Sequence, residues 1–237
     1  MARGSTTREV MAEVALRMFA ERGIDAVSLR EITTASGQRN KSAAQYHFGT
    51  KEQLVREIFE RHTGEVNAHR QRLLDALHER GDRPALEELA DVLIRPLAET
   101  VDGDSHYARF LARVSTPPWI GALVHADPMA TQSVQTVFTE IAQLLDGLPG
   151  PVLRTRLALA MMLTVRALAA CEHTVAPGSP DDARRVALLA AQLVDTTVGI
   201  LLAPVSGATR DLLPHAAEPV TDDSWPWHLL IGAEAGF

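Results

Sequence analysis

The chain has 237 residues, of which 46% are hydrophobic and only 5% aromatic, so it is long enough to bury a sizeable core. Its net charge of −7 argues against indiscriminate binding to nucleic acid, and its single cysteine, Cys171, excludes an internal disulfide. Long runs of alanine, leucine and valine, without sustained alternation of apolar and polar residues, predict an all-α protein.

Charge is distributed unevenly along the chain. Residues 1–60 carry 9 basic and 8 acidic side chains, whereas residues 61–237 carry 14 and 22. Both lysines of the chain, Lys41 and Lys51, fall in the first part. Because salt screens charges beyond about 10 Å, a locally basic surface on an acidic body can still neutralise phosphates. The charge distribution permits DNA binding without establishing it.

The first fifty residues carry the features of three helices, which we assign to a DNA-binding domain, residues 1–50. Helices are expected over residues 9–22, 28–35 and 40–46. Ser28 with Glu31 forms a capping box that begins the second helix, and Gly37 suits the turn that follows it. Asn40 is the expected cap of the third helix. Two short helices joined by a tight turn predict a helix-turn-helix, which reads DNA.

This N-terminal pattern resembles the TetR family of transcriptional regulators. The resemblance rests on the runs MFAERGIDAVSLREITTASG and YHFGTKEQLV. Positions that match the family pattern are Phe19, Gly23, Ser28, Ile32, Gly37, Tyr46, Phe48, Lys51, Glu52 and Leu54. One more residue separates Gly37 from Phe48 than in the commonest family pattern, which predicts a longer turn before the recognition helix.

The recognition helix and its flanks hold the expected contacts to DNA, several of them implied by the resemblance. The expected set is Arg39, Asn40, Lys41, Ser42, Ala43, Gln45, Tyr46, His47 and Lys51. Short side chains such as Ala43 let a helix approach base edges, and Gln45 can pair with adenine. Tyr46, His47 and Lys51 match positions that hold phosphates in the family. The alternative is simple packing for Tyr46 and an exposed side chain without a partner for Lys51. A phosphate at the start of the following helix would explain a lysine there.

Residues 51–203 predict a helical effector-binding and dimerisation domain. Helices are expected over residues 51–80, 84–101, 106–114, 128–145, 152–175 and 184–203. The last two are apolar nearly all round and must be covered on every side. Pairing them with the same helices of a second copy gives a twofold four-helix interface, and the resemblance implies the same homodimer. The alternative is the centre of a monomer. Expected interface residues are Leu159, Leu163, Leu189, Leu193 and Ile200.

The resemblance also implies a small-molecule effector between the helices of this domain. Methionines and aromatic residues make adaptable apolar walls, although core packing explains each such residue equally well. Candidate lining residues are Phe110, Trp119, Phe138, Met161, Met162 and Arg166. A guanidinium within an apolar helix needs a partner, so we expect Arg166 to pair with an acid, to contact the second subunit, or to bind an anionic ligand group. We favour the ion pair.

The remaining residues and motifs predict a tail and exclude catalysis. Residues 204–237 carry four prolines together with Trp225 and Trp227, and are expected to form an extended tail. No catalytic, metal-binding or cofactor-binding motif occurs, so we expect no enzyme, no metal and no cofactor. The opening residues lack the apolar core of a signal peptide, and the most apolar run, 157–171, is too short to span a bilayer. We therefore expect a cytoplasmic protein that makes no use of a membrane.

Together these observations favour a homodimeric transcriptional regulator that binds a palindromic double-stranded DNA operator. We favour a repressor that a small-molecule effector releases from DNA. The effector would favour a spacing of the two DNA-binding domains that no longer fits adjacent major grooves. A DNA-binding regulator without an effector is the first alternative. An all-helical small-molecule-binding enzyme or carrier is the second.

Overall fold

The structure is a computed structural model that describes residues 6–40, 42–116, 119 and 132–213. Within these ranges the chain forms helices and no strand, which confirms the all-α prediction. The helices are α1 Thr7–Arg22, α2 Leu29–Ala35, α3 Ala43–Phe48, α4 Lys51–His78, α5 Leu86–Ala98, α6 Tyr107–Val114, α7 Gln132–Leu144, α8 Gly150–Glu172, α9 Pro180–Leu202 and α10 Gly207–Asp211.

Side-chain caps fix the starts of α1, α2 and α4. The predicted capping box at Ser28 forms, and another begins α4: Ser28 Oγ accepts from the amide of Glu31, and Thr50 Oγ1 accepts from the amide of Gln53, both at 3.2 Å. A third capping box, at Thr6, begins α1 two residues before the predicted start. Each box satisfies amides that the first helical turn leaves unpaired, which is why these boundaries can be found from sequence.

The starts of the last two helices differ from the predictions. Ser179 accepts from the amide of Asp182 at 3.2 Å, so α9 begins at Pro180 and not at residue 184. The expected extended tail begins instead with α10, because Ser206 accepts from the amide of Thr209 at 3.2 Å and caps a short helix. Residues 214–237, including Trp225 and Trp227, lie outside the described residues.

Two apolar cores hold the described helices together. The first joins α1, α2 and α3 to parts of α4, α5, α6, α8 and α9, and its largest fully buried side chains include Phe19, Phe59 and Phe110. The second lies between α4, α5, α7, α8 and the end of α9, with Leu74, Leu93 and Phe138 among its members. The first core continues across the predicted domain boundary at residue 50. The orientation of α1–α3 therefore depends on helices α4–α9, which we call the body.

Helix α6 is the main contact between the body and α1. The rings of Phe110 on α6 and Phe19 on α1 stack with centroids 6.4 Å apart. The buried carboxylate of Glu172, at the end of α8, accepts from the amides of Ala108 and Arg109 at 3.1 and 3.0 Å, and from Arg109 Nε at 3.1 Å. A carboxylate at a helix N-terminus is favourable both for its unpaired amides and for the helix dipole. Helix α6 is therefore fixed to α8 at one end and to α1 along its side.

Candidate nucleic-acid interface

One buried hydroxyl holds α2 and α3 in a fixed arrangement. Thr33 Oγ1 accepts from the amide of Ala44 at 3.1 Å and donates to the carbonyl oxygen of Leu29 at 2.9 Å. Thr33 and Ala44 are both buried, so the amide of Ala44 has no access to water that would replace this bond. Ile32 and Phe48 pack beneath the pair as part of the first core. Thr33 could not be predicted from the sequence, because a threonine within a short helix carries no pattern that distinguishes a buried hydrogen-bonding residue from a surface residue.

The turn between α2 and α3 spans residues 36–42. Gly37 has a φ of +68°, a conformation that side chains rarely adopt, as its place after α2 predicts. Asn40 does not cap α3 directly. Its Oδ1 accepts from the amide of Ser42 at 3.0 Å and closes a turn, so that α3 begins at Ala43, three residues after the predicted start.

The outer side of α3 carries most of the side chains expected to meet DNA. Ser42 and Gln45 are exposed, and Tyr46 is 84% exposed, which removes packing as the explanation for this tyrosine. His47 is half-buried, with its ring edge-on to that of Tyr46 at 5.3 Å. Arg39 and Asn40 are exposed in the turn, and Lys41 lies outside the described residues. The exposed residues provide hydrogen-bond donors and acceptors of the kinds that bind base edges and phosphates.

Two residues of the predicted set point elsewhere. Ala43 is buried in the first core, so its methyl group does not reach a base edge. Lys51 Nζ donates to the carbonyl oxygen of Ile24 at 3.0 Å and lies 5.8 Å from the ring centroid of Trp119. The expectation for Lys51 rested on the charge preference of a helix N-terminus, which does not reveal a free carbonyl oxygen in a neighbouring loop.

Ion pairs decide which cations of this domain remain available to phosphates. Arg8 forms a two-pronged pair with Glu57, with Nε–Oε1 at 2.8 Å, and its guanidinium lies 5.3 Å from the ring centroid of Phe48. Arg22 pairs with Glu31 at 2.7 Å, and this contact, together with hydrogen bonds from Ser28, lowers the pKa of Glu31 to about 2. Among the described residues, the exposed cations without an acidic partner near α2 and α3 are Arg30 and Arg39.

Arg30 was not predicted as a DNA contact. It lies on α2 opposite the buried side that holds Ile32 and Thr33, and is therefore directed outward. The spacing of apolar residues along α2 would have indicated this exposure, but no motif singles the residue out. Arg30 and Arg39 thus supply the described positive charge beside the exposed side of α3.

The predicted interface helices, α8 and α9, leave an apolar surface uncovered. We call this surface the outer face of α8 and α9, formed by Leu159, Met162, Leu163, Leu188 and Leu202. Leu159 is 51% exposed and Leu188 60% exposed, although leucine is usually buried. By length and composition α9 also qualifies as a possible membrane span, but it packs along α5 and α8 in the body.

Three predicted interface residues are placed differently. Leu193 is buried in the first core, Leu189 packs against that core, and Ile200 is only half-buried. A helix that is apolar nearly all round gives no sequence indication of which side faces inward, so the prediction confused the two sides of α9. Leu159 and Leu163 lie on the outer face.

The six residues predicted to line an effector site do not meet in one place. Phe110 belongs to the first core with Trp119 at its edge, whereas Phe138 belongs to the second core with Met161 at its edge. Met162 and Arg166 are exposed on the outer face of α8. The predicted ion pair of Arg166 is absent among the described residues, because this side chain faces solvent and needs no counter-charge. A groove of about 740 Å³ between α5 and α9 is lined by other residues.

A three-helix unit whose short third helix presents exposed polar side chains has the architecture of a helix-turn-helix domain. Residues 12–58 match the family model described as bacterial regulatory proteins, tetR family. The N-terminal segment of the chain is therefore similar to the DNA-binding domain of the tetR family of regulatory proteins, as the resemblance of its sequence predicts.

Solved structures resemble this fold at low sequence identity. A protein of Shewanella sp. PV-4, described as a tetR family transcription regulator, has a TM-score of 0.58 at 16% identity, covering 83% of this chain and 96% of its own. A protein of Mesorhizobium loti MAFF303099 with the same description has a TM-score of 0.49 at 16% identity, covering 84% and 98%. The regulator PfmR of Thermus thermophilus has a TM-score of 0.41 at 20% identity, covering 86% and 100%. No curated protein matches the chain.

Proposed function

We propose that the chain is a homodimeric repressor that binds a palindromic operator and is released from it by a small-molecule effector. The observation that carries the dimer is the outer face of α8 and α9. Monomeric soluble proteins rarely leave large contiguous apolar patches exposed. A twofold pairing brings the same patch of two subunits together and covers it in both.

The dimer gives the DNA-binding side chains their arrangement. Two copies related by a twofold axis present two α3 helices to one duplex, and two identical half-sites then form a palindrome. In this proposal Gln45 and Ser42 contact base edges and Arg30, Arg39 and Tyr46 contact phosphates, which their exposure supports. Since the whole protein is acidic, this local positive charge must lie close to the duplex to act.

Helix α6 supplies the route by which an effector in the body changes DNA binding. It is held by Glu172 of α8 and packs through Phe110 on Phe19 of α1. Beyond its end, Trp119 Nε1 donates to Asp25 Oδ1 at 3.0 Å, in the loop after α1. An effector that favours a shifted α6 would therefore move α1–α3 and change the spacing of the two DNA-binding domains in the dimer.

Introducing a charge on the apolar outer face of α8 and α9 tests the dimer. Leu188→Glu and Leu159→Glu place a charge on the outer face, and each subunit loses apolar burial worth about 25 cal/mol per Å². Sedimentation velocity should show a dimer for the wild type and monomers for both variants, with unchanged helical circular dichroism. Val10→Glu is the matched control, because Val10 is a partly exposed apolar residue on α1. Dimers in both variants would place the interface elsewhere.

A further inference from the structure

One buried cation in the body has no acidic partner among the described residues. Arg70, on α4, is only 3% exposed. Its Nη2 donates to the carbonyl oxygen of Leu93 at 3.3 Å and its Nη1 to Ser133 Oγ at 3.4 Å, both long contacts, and its Nε makes no hydrogen bond. Burial lowers the pKa of Arg70 only to about 10, so the guanidinium is charged at neutral pH. A buried charge without a counter-charge is costly.

Other polar groups line the same side of α4. Thr63, Asn67 and Arg70 follow one another at intervals of four and three residues, which places them on one helix face. Thr63 Oγ1 and the hydroxyl of Tyr107 are 2.5 Å apart, and Asn67 Oδ1 accepts from the amide of Ser133 at 3.0 Å and also from its hydroxyl. We call these five residues the polar seam. None of the five is acidic, so none neutralises the guanidinium; burial raises the pKa of Tyr107 and keeps its phenol neutral.

The surroundings of the polar seam are apolar at both ends. One turn before Arg70 on α4, Val66 belongs to the first core, and one turn after it, Leu74 belongs to the second core. The seam therefore crosses the boundary between the two cores. An isolated cation between apolar walls is the complement of a ligand with an apolar body and one negative charge.

We propose that Arg70 binds the charged group of the effector, and that the effector is an amphipathic carboxylate or a similar organic anion. This inference rests on the proposed function, since it assigns a chemical class to the effector of that regulator. The unpaired Nε–H and the neighbouring Nη–H of Arg70 form the two parallel donors that a carboxylate accepts side-on. The same residue takes the anchoring role that the sequence suggested for Arg166.

The first measurement is thermal melting of the ligand-free protein. Arg70→Met removes the buried charge and keeps much of the volume, so its melting temperature should equal or exceed that of the wild type. Asp127 is the single acid in residues 120–131, and Asp127→Asn should likewise leave the melting temperature unchanged. A clear fall in melting temperature for both variants would show that these residues pair with each other, and would overturn the proposal.

The second measurement is binding of defined probes, namely hexanoate, octanoate and benzoate, each beside its neutral amide. The carboxylates should raise the melting temperature of the full-length wild type, and the amides should not. Arg70→Met should abolish this rise, and Arg70→Lys, which keeps the charge but not the fork, should weaken binding by about tenfold. Arg72→Met is the matched control and should behave as the wild type, because Arg72 is exposed on the same helix. Equal effects of acids and amides, or an unchanged rise in Arg70→Met, would overturn the assignment.

A DNA-binding arm separates failure of this inference from failure of the proposed function. Duplexes selected from a random library with the wild type are tested with and without the probe that gives the largest rise. Release of DNA from the wild type, but not from Arg70→Met, supports both proposals. Arg70-dependent binding without release would keep the anion site but contradict its role as the effector site. Release that persists in Arg70→Met would keep the effector mechanism and overturn Arg70 as the anchor.

Discussion

The α1–α3 region and the α8–α9 pair differ in how much of their apolar surface is buried within one chain. In α1–α3, capping boxes fix the starts of α1 and α2, and the buried hydroxyl of Thr33 joins α2 to α3. The exposed side of α3 is polar and complete within one chain. In α8 and α9 the helices are long and apolar, and the outer face is left for another surface to cover. One chain therefore suffices to bury the apolar side of α1–α3, whereas the proposed dimer would be needed to cover the outer face of α8 and α9.

The largest effect should come from a charge on the inner side of α9. Leu193 is buried in the first core, so Leu193→Glu forces a carboxylate into an apolar site and should destabilise the fold by on the order of 4 kcal/mol. Urea denaturation measures the loss. Leu188→Glu, on the outer side of the same helix, should cost far less in a monomer. Equal losses for the two variants would contradict the assignment of inner and outer sides.

A smaller loss should follow from removing the clamp between α2 and α3. Thr33→Val keeps the shape but leaves the buried amide of Ala44 unpaired, which should cost about 1–3 kcal/mol. Thr34→Val, at an exposed neighbour, is the matched control. Urea denaturation should separate the two variants, and affinity for a selected duplex should fall with Thr33→Val because α3 loses its fixed position. An unchanged free energy of unfolding would show that the bond contributes little.

These two regions also differ in how much of them the sequence reveals. A capping box depends on two residues three positions apart, as with Ser28 and Glu31 or Thr50 and Gln53. Such boxes, and the helix-turn-helix they delimit, can therefore be predicted from a short stretch of sequence. The side of α9 that faces inward depends on α5 and α8, so the apolar pattern of α9 alone does not reveal that Leu193 and Leu189 face inward. The same dependence on neighbouring helices explains why the exposure of Arg166 and the burial of Arg70 could not be predicted from the sequence. The apolar neighbours of Arg166 suggested burial but line an exposed surface, whereas Arg70 sits in a polar-looking helix and is buried by α5 and α7.

The contact to phosphates should appear as a change in salt dependence without a change in stability. Arg39→Ala should weaken binding to all duplexes and reduce the slope of log affinity against log salt by about one unit, since Arg39 is exposed and has no acidic partner among the described residues. Arg8→Ala is the matched control, because Arg8 is already neutralised by Glu57. Fluorescence anisotropy over a salt series measures both. A larger change in slope for Arg8→Ala would reverse the assignment.

The smallest effect concerns acid stability. The pKa of Glu31 is lowered from 4.5 to about 2, chiefly by the hydrogen bond from Arg22, so the folded state favours the deprotonated carboxylate. Its contribution should be fully present above pH 4.5 and lost as the pH falls toward 2. Glu31→Gln should therefore reduce the loss of stability between pH 5 and pH 3, as followed by urea denaturation. An unaltered pH dependence would mean that the Arg22–Glu31 pair does not form in solution.

The symmetry of the selected operator tests the central claim most directly. Wild-type protein and Leu188→Glu are each used to enrich duplexes from a random library at one protein concentration. If the outer face of α8 and α9 joins two subunits, the wild type should enrich palindromes with two half-sites, and Leu188→Glu should bind them only weakly or enrich single half-sites. Enrichment of single half-sites by the wild type, or of the same palindromes with equal affinity by Leu188→Glu, would contradict the account.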